Sequence, residues 1–312
     1  MTSEKNEPNV IIHAGVVKTA SSYLQAILKR NSGRLRKAGV NYVHHRDTRK
    51  NYTVPCQLNA REKLGINFEP KVSDQELLEI SRAFFRNQSA KDFQRLILSD
   101  ENILGHSGHC ARVGRLFTLR KMFAGVFAEH IPHPVTEVHF AIRNYASFYS
   151  STYVEYLRSA QADRIVTENS MKKLVYSKHV SWEGVASVVL NTFPEADVFV
   201  WRFEDLSELS STILQNLCGQ EIDVSKFASP NRKRTRPSAS QRAVEVLFNS
   251  IERFGADAAL ANWAKIQEQY PRGDEYQAYN PWTKDERIHL TNLYHHDVKQ
   301  LASLPRVNFL SP

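Results

Sequence analysis

Val10-Ile11-Ile12-His13-Ala14-Gly15-Val16-Val17-Lys18-Thr19-Ala20-Ser21-Ser22-Tyr23-Leu24-Gln25 joins an apolar, β-branched run to a small lysine-bearing loop, and then to a second apolar pattern. The first run has the composition and length of a buried strand. Hydroxyl residues ahead of the second mark a helix start, where backbone N–H groups without internal partners attract anions. Lys18 adds a mobile positive charge at that point. The layout is that of a phosphate cradle.

Working outward, strand-like runs occur at Val10–His13, Val40–Val43, Arg95–Ser99, Val135–Ile142 and Asp197–Trp201, with helical patterns between them. Such alternation predicts an α/β fold with a mostly parallel central sheet covered on both faces, and ligand sites at the C-terminal ends of the strands. The Gly15–Ser22 loop and Arg143 both fall at such ends. Arg143 closes the alternating run Glu137–Ile142 and leads through Asn144 into an aromatic-rich helical pattern reaching Tyr156. Its planar fork of donors can clamp a phosphate in two places.

Composition bounds the partners. The chain has 312 residues with 42% hydrophobic content, enough for a large core, and neither a repeat nor a linker divides it, so one domain over 1–312 is expected. A net charge of +8 favours an anionic partner, whether a nucleotide, an acidic glycan or nucleic acid. Cys56, Cys110 and Cys218 are few and widely spaced, which predicts no disulfide framework and a reducing compartment. The polar N-terminal segment and the lack of any apolar run near the roughly 18 residues of a membrane span predict a cytoplasmic protein.

The lysine loop is not a Walker A sequence, because Val17 rather than glycine precedes Lys18. It resembles the 5′-phosphosulfate loop, Gly-x-x-Lys-Thr-Gly-Thr-Thr with a preceding His, of sulfotransferases that use 3′-phosphoadenosine 5′-phosphosulfate (PAPS). His13, Gly15, Lys18 and Thr19 match; Ala20 replaces a glycine, and Ser21 and Ser22 replace threonines. If residue 20 needs a positive φ, alanine costs on the order of 1 kcal/mol there. Arg143, Asn144, Ser151 and Tyr153 fall in the register of the same family's 3′-phosphate segment, Arg-Asn-Pro-x-x-Arg-x-x-Ser-x-Tyr, with Tyr145 and Phe148 departing from it. Trp201-Arg202-Phe203-Glu204-Asp205-Leu206 is similar to a segment after the family's last core strand, and reads equally as a strand running into a helix capped near Asp205.

The resemblance implies a P-loop-NTPase-like three-layer αβα fold. It also implies PAPS as donor, with adenosine 3′,5′-bisphosphate as product and no metal requirement. Gly15, Lys18, Thr19, Ala20, Ser21, Ser22 and Tyr23 would hold the 5′ end; Arg143 and Ser151 would hold the 3′-phosphate. Lys18 would stabilise charge on the bridging oxygen of the leaving group. The basic stretch Arg232-Lys233-Arg234-Thr235-Arg236, ahead of a helix whose apolar face carries Val244, Leu247, Phe248 and Ile251, resembles a loop that closes over the nucleotide. It would contribute Arg232, Arg234 and Arg236. A solvated loop is the plainer reading, and the absence of interleaved aromatics argues against nucleic acid.

Transfer also needs a base within reach of the acceptor proton. His44 and His45 follow the second strand and Glu101 follows the third; histidine suits the role because imidazole titrates near neutrality, only one of the two adjacent histidines is expected to face the cleft, and His45 is slightly preferred. The acceptor is expected to be a carbohydrate or another hydroxylated molecule. Its site would draw on Arg46–Glu79, His106–His133, Arg158–Lys178 and the region from Ala256 onward. Trp263, Tyr270, Tyr276, Tyr279 and Trp282 could stack on sugars or simply pack in a core. The His106/His109 and His130/His133 spacings do not assemble four zinc ligands. A P-loop kinase is the chief alternative, disfavoured by Val17 and by the lack of an obvious acidic strand end for Mg²⁺; a basic binding module for polyanions is the other.

Overall fold

The strands sort their side chains by parity, and that builds two apolar layers. In a computed structural model, which describes residues 7–88, 93–178, 180–230 and 238–312, Ile11, Ile97, Ala141 and Trp201 face one way. They pack under the helices Ser21–Arg30 and Leu206–Cys218. Val10, Ile12, Leu96, Leu98, Val138, Phe140, Val198 and Val200 face the other way, under the helices Val54–Lys63, Arg120–Glu129 and Trp182–Thr192. Each fully buried aliphatic side chain contributes about 1.5–3 kcal/mol of transfer free energy, so both faces must stay covered.

Six strands, β1 Asn9–His13, β2 Val40–Val43, β3 Arg95–Ser99, β4 Val135–Ile142, β5 Asp197–Arg202 and β6 Val307–Leu310, form one sheet in the order β2-β3-β1-β4-β5-β6. Every pairing is parallel. The three-layer αβα fold is thus present. The sheet gains β6, a half-exposed four-residue edge strand too short to show a period in the sequence. The connection leaving β1 runs outward to β2 and that leaving β4 runs outward to β5, so the chain diverges above this central pair and opens a crevice at their C-terminal ends.

The helix Tyr145–Leu157 is covered over most of its surface, with Tyr145, Phe148, Tyr149 and Tyr153 completely buried and Ser151 and Glu155 turned to a cavity. It is a central support rather than a surface element. Trp182 stacks on Tyr145 and Trp282 donates to the Ala146 carbonyl, so these aromatic rings belong to the core. Trp263 and Tyr279 are buried as well. All three cysteines are free and buried. Among the described residues no helix is long and apolar enough to cross a membrane. Arg232, Lys233, Arg234 and Arg236 lie outside the described residues.

Candidate active site

One cavity of about 1290 Å³ opens over the ends of β1, β3 and β4, larger than the roughly 300–1,000 Å³ that takes a single drug-sized ligand. Lys18, Ala20, Ser21, Ser22, Tyr23, Glu101, Arg143 and Ser151, all singled out from the sequence, line it.

The loop that follows β1 is strained. Gly15, Lys18 and Ala20 all have positive φ, of 46°, 67° and 60°. A Cβ on Gly15 would meet the Ser21 Cβ at 3.0 Å, so glycine is needed there for space as well as for conformation. Ala20 does sit at a left-handed site and carries the cost on the order of 1 kcal/mol anticipated for it. Ala20 is also the N-cap of the Ser21–Arg30 helix and offers no side-chain bond to it. The first turn has no acidic residue, while Lys29 and Arg30 sit in the last. The positive end of the helix dipole is therefore left for an external anion. Thr19 departs from the expected role: its buried hydroxyl turns inward and donates to the Val16 carbonyl at 2.5 Å, so that hydroxyl braces the loop.

Arg143 reaches across from β4 to brace the same loop. Its Nη1 donates to the Lys18 carbonyl at 2.6 Å and its Nε to the Ser147 hydroxyl at 2.9 Å. The guanidinium lies 4.4 Å over the Phe203 ring. Among the described residues no carboxylate is within ion-pair distance of it. Burial pulls its pKa down to about 10, with Glu204 opposing and Arg272 adding, so it stays charged at neutral pH. A half-buried guanidinium without a carboxylate, beside a free helix N-terminus, is a strong recruiter of anions. Lys18 is held by Glu155 at 3.2 Å, and Glu155 also takes Arg158 at 2.8 Å.

The segment after β5 supports this end structurally. Phe203 floors Arg143, while Glu204 accepts from the Asn144 backbone N–H and the Tyr294 hydroxyl. Asp205 is the N-cap residue of the Leu206–Cys218 helix but makes no side-chain cap bond; its carboxylate takes Arg202 in a two-point pair.

At the β3 end, Arg49 binds Asp100 through Nε and Nη2 and Glu101 through Nη2 at 2.7 Å. Gln25 donates to Glu101 at 2.9 Å. Burial raises the Glu101 pKa, but Arg49 and Gln25 outweigh it and hold the carboxyl below its ordinary value. An acidic strand end does exist here, contrary to the sequence expectation. Asp100 is wholly buried and Arg49 supplies its counter-charge, so a fixed guanidinium occupies the carboxylates that a cation would need.

His44 and His45 are not brought into the cavity wall. His44 caps the short His45–Thr48 helix by accepting from the Arg46 N–H, and the two rings pack 4.0 Å apart. Burial drives the His45 pKa down to about 4. His106 does line the cavity, next to Arg49, at the N-cap of the helix Ser107–Val113, without a side-chain cap bond. Burial, then Arg61 and Arg49, lower its pKa, leaving a neutral imidazole. The sequence signal for it was its place in a loop beyond a strand end. The four segments expected to surround an acceptor each reach this cavity, through Arg49, His106 to Arg112, Ser159 to Arg164, and Arg272.

No protein-family model matches the chain, and no curated protein matches it at a significant level. Among solved structures the chain is similar to a sulfotransferase from Alicyclobacillus acidocaldarius, with 11% identity and a TM-score of 0.40 over 85% of this chain and 99% of that one. A likeness so distant carries no functional statement.

Proposed function

We propose that this protein is a PAPS-dependent sulfotransferase acting on an acceptor hydroxyl, in a carbohydrate or a similar hydroxylated molecule. The observation that carries the proposal is the pairing, in one cavity, of an uncapped helix N-terminus bearing Lys18 with the carboxylate-free Arg143 and Ser151. These are two anion-attracting features in one cavity, contributed by different strand ends, and they suit a nucleotide phosphorylated at both ends. PAPS supplies the sulfuryl group and departs as adenosine 3′,5′-bisphosphate.

The chain's own groups would act as follows. The Ser21–Arg30 helix start and the Ser21 and Ser22 side chains receive the 5′-phosphate, and Arg143 with Ser151 receives the 3′-phosphate. Lys18, released from Glu155, stabilises the negative charge that gathers on the bridging oxygen as the sulfur–oxygen bond breaks. The acceptor oxygen forms the new bond to sulfur and gives its proton to Glu101, the one sequence-named base in the cavity wall. Arg49 and Gln25 orient that carboxylate and keep it ionised. His106 is a second acceptor of protons in the same wall. The buried free cysteines agree with a reducing, cytoplasmic setting.

The kinase alternative is weakened by the Arg49 counter-charge on Asp100 and Glu101, the acidic pair following the strand beside the loop. Incubation with PAPS carrying radiolabelled sulfur and a pool of glycans tests the proposal. Label moving to an acceptor, with equal release of adenosine 3′,5′-bisphosphate, supports it. Transfer of the γ-phosphate of ATP instead would replace it with the kinase reading.

A further inference from the structure

The cavity holds more positive charge than a nucleotide needs. Among the described residues six basic side chains line it, Lys18, Arg49, Arg112, Arg143, Arg164 and Arg272, against two carboxylates, Glu101 and Glu155. Arg49 is neutralised by Asp100 and Glu101, and Lys18 pairs with Glu155. Arg272 bears electrostatically on Arg143 and so belongs to the nucleotide end. That leaves Arg112 and Arg164.

Arg112 is held through its side chain and Arg164 through its backbone. One Arg112 nitrogen lies 3.1 Å from His109 Nδ1, and His109 Nε2 lies 2.7 Å from the Thr118 hydroxyl. Since a guanidinium only donates, Nδ1 accepts and the proton of this neutral imidazole sits on Nε2, toward Thr118. One arm of Arg112 is thereby fixed and the other donors remain for a ligand. No carboxylate among the described residues pairs with it. Among the described residues the Arg164 side chain pairs only with the adjacent Asp163, at 3.3 Å with both side chains about two-thirds exposed, a pair worth little in water. Its backbone is anchored, because the Tyr156 hydroxyl donates to the Arg164 carbonyl and accepts from the Val166 N–H. Arg112, Tyr156 and Arg164 all line the cavity. Tyr156 directly follows Glu155, the partner of Lys18. Glu155, Arg112 and Arg164 line the same cavity, so the pair opens onto the space that Lys18 also faces.

We infer that Arg112 and Arg164 form an oxyanion subsite for the acceptor, so that the acceptor carries a carboxylate or a sulfate ester close to the hydroxyl that is modified. This rests on the sulfotransferase reading. An arginine fork matches either oxyanion in two-point fashion, whereas a neutral sugar gives it nothing to neutralise.

The test uses the full chain saturated with adenosine 3′,5′-bisphosphate and three probes followed by ligand-observed NMR: 4-nitrophenyl β-glucuronide, its 6-sulfated glucoside counterpart and the neutral glucoside. One or both acidic probes are expected to bind at least about tenfold tighter than the neutral one, the size of one charge-assisted pair, and which of them does so identifies the group read. In Arg112→Gln the preference should fall below about threefold, with bisphosphate affinity unchanged; Arg164→Gln should reduce it in the same direction. Equal binding of all three probes, no binding by any, or a preference that survives in both variants would overturn the inference. So would a loss of bisphosphate affinity in Arg112→Gln, which would move Arg112 to the nucleotide. Failure of the wild type to bind the bisphosphate would overturn the sulfotransferase reading itself, and this inference with it.

Discussion

The loop end of the cavity and the β3 end are made of opposite materials. At the loop end, backbone does the holding: three positive-φ residues and an uncapped helix start form the cradle, and Arg143 waits there without a carboxylate. At the β3 end, side chains hold one another: Arg49, Asp100, Glu101 and Gln25 are mutually bonded before any ligand arrives. A cradle of backbone and unpaired charge favours tight binding of a fixed anion, at the cost of local strain. A preassembled side-chain network instead fixes the position and charge of a group that must act on a proton. Substitutions at the two ends should therefore separate into effects on rate, on binding and on stability.

The largest effect is expected at the β3 end. Glu101→Gln should lower kcat by about 10²–10⁴-fold, the usual yield of a positioned base, with nucleotide affinity within about twofold of wild type. His106→Gln should cost less than about tenfold; a reversal of the two would make His106 the base. Next comes Lys18→Ala at the loop end, which should lower kcat by about 10²–10³-fold and nucleotide affinity by much less, because its charge matters most as the leaving oxygen develops. Equal losses in rate constant and affinity would show that Lys18 only binds.

A smaller effect, on stability, follows from two histidines, the buried His13 and the half-buried His45. Burial, with His139 adding, pulls the His13 pKa down to about 3, and burial takes His45 to about 4. In the unfolded chain both titrate near 6.5. The unfolded state thus binds more protons below that value, so stability is complete above about pH 6.5 and is lost progressively as pH falls toward the folded values. Each histidine contributes a slope of up to about 1.4 kcal/mol per pH unit. Thermal melts should be flat from about pH 7 to 8 and fall steadily below about 6.5, with a shallower fall in His13→Gln; an unchanged Tm down to about pH 5 would contradict it. The smallest effect is Ala20→Gly, which should raise stability by no more than about 1 kcal/mol, since relief of the left-handed strain exceeds the entropic cost of glycine. A loss of stability would mean that Ala20 is not strained as its φ of 60° implies.

The same contrast explains what could be seen in the sequence. The loop end is local: a strand, a glycine, a lysine and a helix start lie within sixteen residues, and Arg143 and Ser151 share one strand-to-helix junction, which let the resemblance to a sulfotransferase segment register them. Five of six strands were legible because buried parallel strands are continuous apolar runs; β6 is short, half-exposed and at the edge. The β3 end is non-local. Arg49 meets Asp100 across fifty residues of chain, and nothing near either residue announces the other. His44 and His45 have the right chemistry at a strand end, but the chain turns at once into a helix that His44 caps. Thr19 has the expected hydroxyl, yet a tight loop uses it to satisfy its own carbonyls.

Calorimetric titration of adenosine 3′,5′-bisphosphate against ATP with Mg²⁺, on the wild type and on Arg143→Ala, addresses the loop end most directly. Micromolar binding of the bisphosphate, weaker ATP binding and a loss of at least about tenfold in the variant are the predicted results. Preference for ATP with Mg²⁺, or bisphosphate binding indifferent to Arg143, would contradict the sulfotransferase reading.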